Sequence, residues 1–401
     1  MSTAATLRRL VPLALLAILT APFLWFHFDT DLTTGTPLLS WEPSHGWKFL
    51  KVVVPGFATG ALVAFLARLW DRTPRTPLVA RASHEVLETP WMVLVLVATL
   101  SVSGLFLSPK GLSMGTFVAI YMLLALGLNV TIGFTGLLVL GYSAFYAIGA
   151  YTLALLSQAF PGFPVWLSLP AAFVTASLAG LLVGLPCLRL RGDYLAIVTL
   201  GFAEALREIL RNLAITRGDK GFPIASTSQF PAIGPLAAKQ VAWIAAIATL
   251  ALVCLAVHRL YHSRTGRAWI AIREDETAAA MMGIPVVRQK LLAFAVSAGV
   301  GGLGGAIFAG CWGFVDPSTA SFEQSVLVLA MVILGGIGSL PGSLLGAAVL
   351  YLVPTLLRDQ IPAIADYRLF FFGSILVAMM LLRPQGLLGS PRHRLEMEGG
   401  S

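Results

Sequence analysis

Three groups of residues in this chain have the types and spacing for chemistry. The first is GRAWIAIREDETAAAMMGI, Gly266–Ile284. It places Arg267, Arg273, Glu274, Asp275 and Glu276 within ten residues, in a chain only 11% charged. The second sets Glu204, Arg207 and Glu208 about one helical turn apart, close enough to pair. The third is His258 and His262 at i, i+4, a spacing that can hold a metal on one helical face. No third ligand accompanies the histidines, so they read as residues near the C-terminal end of an interfacial helix. No nucleophile–base arrangement and no HExxH are found. A phosphate-cradling GxxxxGK[ST] is also missing, because the chain contains no Gly-Lys pair. What these groups can do is non-covalent: dock, pair charges, or line a path. The chain is expected not to be an enzyme and to bind no metal and no ATP of its own.

The elements that must position them are membrane helices. The 401 residues are 57% hydrophobic, with mean hydropathy +0.84. A soluble domain is about half apolar and a quarter charged. The apolar runs are long enough to cross roughly 30 Å of hydrocarbon as helix, and they do not alternate as barrel strands do. The predicted fold is an all-α polytopic membrane protein. The candidate spans are Leu10–Phe26, Phe49–Leu69, Trp91–Leu107, Met114–Ile132, Gly136–Ser157, Pro164–Pro186, Tyr194–Asn212, Gln240–His258, Leu291–Trp312, Phe322–Ile337, Leu340–Leu357 and Tyr367–Leu382. Phe322–Ile337 and Leu340–Leu357, parted by GSL, read either as two crossings or as a re-entrant pair.

Lys and Arg cluster in alternate loops: Arg8 and Arg9, Arg68 to Arg81, Arg189 and Arg191, Arg259 to Lys290, and Arg383 to Arg394. With basic loops inside, both termini are expected in the cytoplasm. The +8 net charge then reports topology, with no basic, aromatic-laced stripe to suggest nucleic acid. The first apolar run lacks a clear small-x-small cleavage site and reads as a retained signal-anchor. Residues 1–89 form an N-terminal extension of two helices and a basic linker. Residues 90–388 form the core, with a cytoplasmic loop at 259–290, and 389–401 a cytoplasmic tail. Cys187, Cys254 and Cys311 lie in or beside apolar segments, far apart, and read as packing residues.

Within the loop, Asp275 is a plausible N-cap and Glu276 suits the positive end of a helix dipole. Gly283 can close the helix in the left-handed region, and Pro285 stops it. A short Ala/Met helix ringed by charge, with no core of its own, is a docking surface. Topology alone needs the basic residues but has no use for Glu274-Asp275-Glu276. In NVTIGFTGLLVLGYSAFYAIGAY, Asn129, Gly133, Gly136, Gly141, Tyr142 and Tyr146 offer polar and helix-breaking groups. They suit either a substrate path or close helix packing. Glu204, the most interior acid, reads as an ion-pair partner or a path residue.

ETAAAMMGIP resembles the loop of ABC importer permeases whose short coupling helix sits in a groove of the ATP-binding subunit, through Glu276, Ala279 and Gly283. Six blocks extend the resemblance: LGLNVTIGFTGLLVLGYSAFYAIGAYTLALL, LRLRGDYLAIVTLGFAEALREIL, GRAWIAIREDETAAAMMGI, GFVDP, LGGIGSLPGSLLGA and RPQGLL. In this order they resemble the LivM-type permeases of branched-chain amino acid ABC importers. The region Thr216–Ala238 departs most, with TRGDKGF where TGGPNGI is expected. The resemblance implies a permease of about ten core helices plus two N-terminal ones, in a bacterial inner membrane. It implies a homologous LivH-like permease partner, two ATP-binding subunits that use ATP and Mg, and a periplasmic substrate-binding protein. It implies coupling through Gly266, Arg267, Arg273, Glu274, Asp275, Glu276, Ala279 and Gly283. Urea or a short-chain amide is the alternative cargo. An ion-coupled secondary carrier is a more distant alternative, with Glu204 as its one candidate ion site.

Overall fold

In the computed structural model, the residues described are 109–160, 163–187, 193–224, 230–231 and 237–360. The chain divides into two units, Met1–Gly115 and Thr116–Ser401. Everything below concerns the second unit and the start of its first helix. The expected spans before residue 108 and after 360, the basic linker and the tail lie outside the described residues.

Among the described residues ten α-helices follow in order: α1 Pro109–Asn129, α2 Tyr142–Ala159, α3 Val165–Cys187, α4 Asp193–Asn212, α5 Ala238–Tyr261, α6 Arg264–Glu274, α7 Glu276–Met281, α8 Val286–Trp312, α9 Phe322–Gly335 and α10 Leu340–Gln360. A π turn, Val130–Phe134, continues α1. Two-residue strands β1, Phe222–Pro223, and β2, Phe314–Val315, pair antiparallel and tie the α4–α5 loop to the end of α8. The all-α expectation holds.

Four segments among the described residues are long and apolar enough to cross a membrane: Lys110–Phe134, Val165–Pro186, Ala238–Tyr261 and Val286–Trp312. α4 is not among them, because its polar residues Glu204, Arg207, Glu208 and Arg211 interrupt the apolar run. α9 has 14 residues, about 21 Å of rise, short of the hydrocarbon thickness.

The core is a triplet. α8 packs most extensively on α3 and α2. Its GVGGLGG stretch makes this possible: a Cβ on Gly305 would run into the Tyr146 carbonyl, and one on Gly149 of α2 into the Gly302 backbone. Small residues let backbones approach where apolar area alone gives no drive between helices in lipid. By contrast α3 turns Trp166, Leu167, Val174, Leu178 and Leu182 outward. That face needs lipid or another protein, not water.

Candidate functional site

The charged loop folds as two helices between the spans α5 and α8. Ser263 caps α6, its hydroxyl accepting from Gly266 N at 3.4 Å. Gly266 sits so near the end of α5 that a Cβ would strike the Leu260 and Tyr261 carbonyls. No other residue type fits this junction without movement. Arg267 donates to the His262 carbonyl at 3.1 Å. Trp269, fully buried, donates its indole N–H to the Gln289 carbonyl at 2.9 Å. This bond ties α6 to α8.

Asp275 ends α6 and begins α7. Its Oδ1 accepts from Thr277 N at 2.7 Å and Ala278 N at 2.9 Å, the cap expected from sequence. Ala279 is buried, while Met281 and Met282 are 84% and 83% exposed. Gly283 adopts φ +81° and Ile284 N reaches back to the Ala279 carbonyl at 3.1 Å, closing the helix as its sequence predicts. Glu274 is exposed. Glu276 is engaged inside the chain: its Oε2 lies 2.7 Å from Nζ of Lys290, whose side chain is 5% exposed.

Arg273, an exposed residue, reaches from this loop to the bundle. Its Nη1 donates to the Gly133 carbonyl, in the π turn, at 2.6 Å. A π turn widens the helix by one residue and frees carbonyls that an α-helix would use. Gly136, at φ +71°, lies against the Arg273 side chain, and a Cβ on Gly338 would come 3.0 Å from Nη1. Directly before the π turn, Asn129 is wholly buried. Its Oδ1 accepts from Gly338 N at 2.9 Å and its Nδ2 donates to the Ser339 carbonyl at 3.3 Å. One continuous set of contacts thus joins α6, the π turn and the α9–α10 turn.

The structure brings Asn129, Gly133 and Gly136 together with Arg273 and separates the other path candidates. Gly141 packs on the Thr199 carbonyl. Tyr142 spends its hydroxyl on the Ser297 carbonyl, 2.9 Å away. Glu204 pairs with Arg207 at 3.4 Å, both side chains about one-third or more exposed. Tyr146 lines a cavity at the far end of α8. The histidine rings lie 4.5 Å apart, tilted by 44°, and no group of three metal-ligating side chains occurs among the described residues.

Sequence reasoning missed Lys290 as the partner of Glu276, and Gly338 and Ser339 as the partners of Asn129. Only the glycines of LGGIGSLPG hinted at the second. It also missed the cavity. This has a volume of about 320 Å³ and lies where α1, α2, α8 and α9 meet. Phe117, Tyr121, Tyr146, Phe308, Trp312 and Phe314 supply its aromatic wall. Asp316, Ser318, Thr319 and Gln324 supply its polar edge.

Residues 112–380 match the model of the family described as branched-chain amino acid transport system, permease component. The chain is 36% identical over 417 residues to the high-affinity branched-chain amino acid transport system permease protein LivM of Escherichia coli K12. That alignment covers 98% of this chain and 96% of the relative. It is 39% identical over 333 residues to the LivM of Salmonella typhimurium, covering 77% of each. To the LivH permease of E. coli K12 it is 25% identical, over 69% of this chain and 93% of that one. No solved structure matches.

Proposed function

The chain belongs to the family of branched-chain amino acid transport system permease components; from that premise we propose that it carries leucine, isoleucine and valine inward through a bacterial inner membrane. It is the permease subunit of an ABC importer, built as a multi-pass membrane protein. The observation that carries the cargo is the likeness to LivM along 98% of the chain. In this reading the chain pairs with a LivH-like permease, receives cargo from a periplasmic binding protein and is driven by two separate ATPase subunits that hold ATP and Mg. The loop and both termini lie in the cytoplasm.

The contacts of the loop support a route for coupling. α7 presents Met281 and Met282 to a groove of the ATPase; flexible thioethers adapt to such a surface. α6, α7 and the start of α8 move as one body, held by Trp269 to Gln289 and Glu276 to Lys290. Arg273 hands the displacement to the Gly133 carbonyl, and Asn129 passes it to the α9–α10 turn. Small shifts of packed helices are a usual form of such transitions.

The experiment is uptake of labelled leucine into cells carrying this chain with its partner subunits, with isoleucine, valine and urea as competitors. Competition by isoleucine and valine is expected. Accumulation of urea with no leucine uptake would overturn the cargo and leave the transporter class intact.

A further inference from the structure

The aromatic cavity stands apart from the coupling contacts. Phe308 and Trp312 line it from the last turn of α8, whereas Lys290 and the Trp269 contact lie in that helix's first turns. The 27 residues of α8 rise about 40 Å. The cavity is therefore at the opposite end of the span from the loop assigned to the cytoplasm, the end at which cargo arrives.

Its chemistry is specific. Phe117 lies 5.7 Å from Trp312 and 6.1 Å from Phe308, and Tyr146 lies 5.5 Å from Phe308. These rings give an apolar surface whose faces also attract cations. Asp316 is the one charged residue of the lining. Its Oδ1 is fixed by the hydroxyls of Ser318 at 2.8 Å and Thr319 at 3.2 Å. Among the described residues, Oδ2 has no hydrogen bond. Gln324 is paired with the Tyr121 hydroxyl at 3.1 Å. It stands in the first turn of α9, the helix end that favours negative charge. About 320 Å³ is at the small end of ligand sites, which span about 300–1,000 Å³.

We infer that this cavity is a subsite for the amino acid cargo: Asp316 takes its α-ammonium, the aromatic wall takes its branched side chain, and the Gln324 amide in the first turn of α9 faces its carboxylate. The subsite rests on the amino acid reading of the function. It gives the permease its own recognition of an ammonium, separate from any selection made before delivery. A cargo without an ammonium, such as a neutral amide, leaves Asp316 unpaired in an aromatic setting.

The test is protection from a thiol reagent. Ser318→Cys is placed, for labelling only, in the complete transporter with Cys187, Cys254 and Cys311 replaced by alanine, and leucine uptake is read in the transporter that keeps Ser318. Membrane vesicles are treated with an impermeant methanethiosulfonate. L-leucine is expected to slow labelling, isoamylamine to slow it less, and isocaproate, which lacks the ammonium, not to slow it. Adding Asp316→Asn should raise the leucine concentration needed by at least about tenfold, the worth of one charge-assisted hydrogen bond. Asp316→Glu should restore part of the effect, separating lost charge from lost fold. Leucine uptake with labelling indifferent to leucine, or with Asp316→Asn protected like its parent, overturns the subsite and leaves the transport function standing. Protection without uptake overturns the transport function and leaves the subsite. Neither protection nor uptake overturns both.

Discussion

The two ends of α8 are built on opposite plans. At its start, most polar groups are paired: Lys290 with Glu276, Trp269 with the Gln289 carbonyl, Arg273 with the Gly133 carbonyl, while Gln289 Oε1 is buried without a hydrogen bond. At its finish, rings line one side of an open cavity and a carboxylate keeps one oxygen for a visitor. A part that transmits displacement must have no slack, so its contacts are made inside the chain. A part that receives a solute must leave contacts unmade. Direct pairing at one end and vacancy at the other are thus two solutions on one helix.

That contrast breaks first at Asn129. Asn129→Leu leaves the Gly338 N–H without its partner, at about 1–3 kcal/mol, and takes one of two donors from the buried Ser339 carbonyl, which keeps Ser343 N. The expected result is a marked fall in thermal stability of the detergent-extracted transporter. An unchanged melting point would mean that the α9–α10 turn is held by something else. Next is Arg273→Ala, which removes one charge-assisted bond worth about tenfold. Leucine uptake should fall by that order while membrane abundance and partner ATP hydrolysis persist. A matching fall in hydrolysis would place Arg273 in ATPase docking instead of transmission.

Glu276→Gln strands the nearly buried Lys290 ammonium. Glu276 is 36% exposed, so water softens the loss to about 1–2 kcal/mol. Adding Lys290→Met should recover most of it, because removing both charges leaves nothing uncompensated. A double variant worse than the single one would show that Lys290 serves something beyond its partner. Trp269→Phe keeps the buried ring and loses the bond to Gln289, for about 1 kcal/mol.

The smallest effect is outside both ends. The hydrogen bond from Arg211 at 2.7 Å holds the Asp219 carboxyl below its ordinary 3.8. Its folded value is depressed, so the pair's stabilisation is present above pH 4 and lost as pH falls through the lowered value. Asp219→Asn should flatten that acid limb of a stability profile and leave leucine uptake at neutral pH unchanged.

The local signals of the loop were legible because their physics is local. Asp275 caps the helix whose N–H groups follow it by two and three residues, and Gly283 closes the same helix. The positions of four spans, those that became α1, α3, α5 and α8, were legible for the same reason, since hydropathy is summed over neighbours. Partners across the fold were not. Arg273 meets a carbonyl 140 residues away and Asn129 meets a turn more than 200 residues away. Backbone carbonyls carry no sequence signature at all. The cavity draws on residues from 117 to 324, and no local pattern in GFVDP marks Asp316 as part of a cavity. Glu276 shows the converse: its charge was read as facing a partner protein, and its carboxylate reaches a lysine fourteen residues on.

The π turn at Val130–Phe134 has a consequence for descent. Such a turn is an α-helix carrying one residue too many. Deleting any one of the five would restore regular α turns and return the Gly133 carbonyl to the helix's own hydrogen bonds. Hydropathy and composition would hardly register the change, yet the Gly133 carbonyl would swing away from Arg273. Relatives of this chain should therefore tolerate substitutions along α1 far more readily than a change in its length.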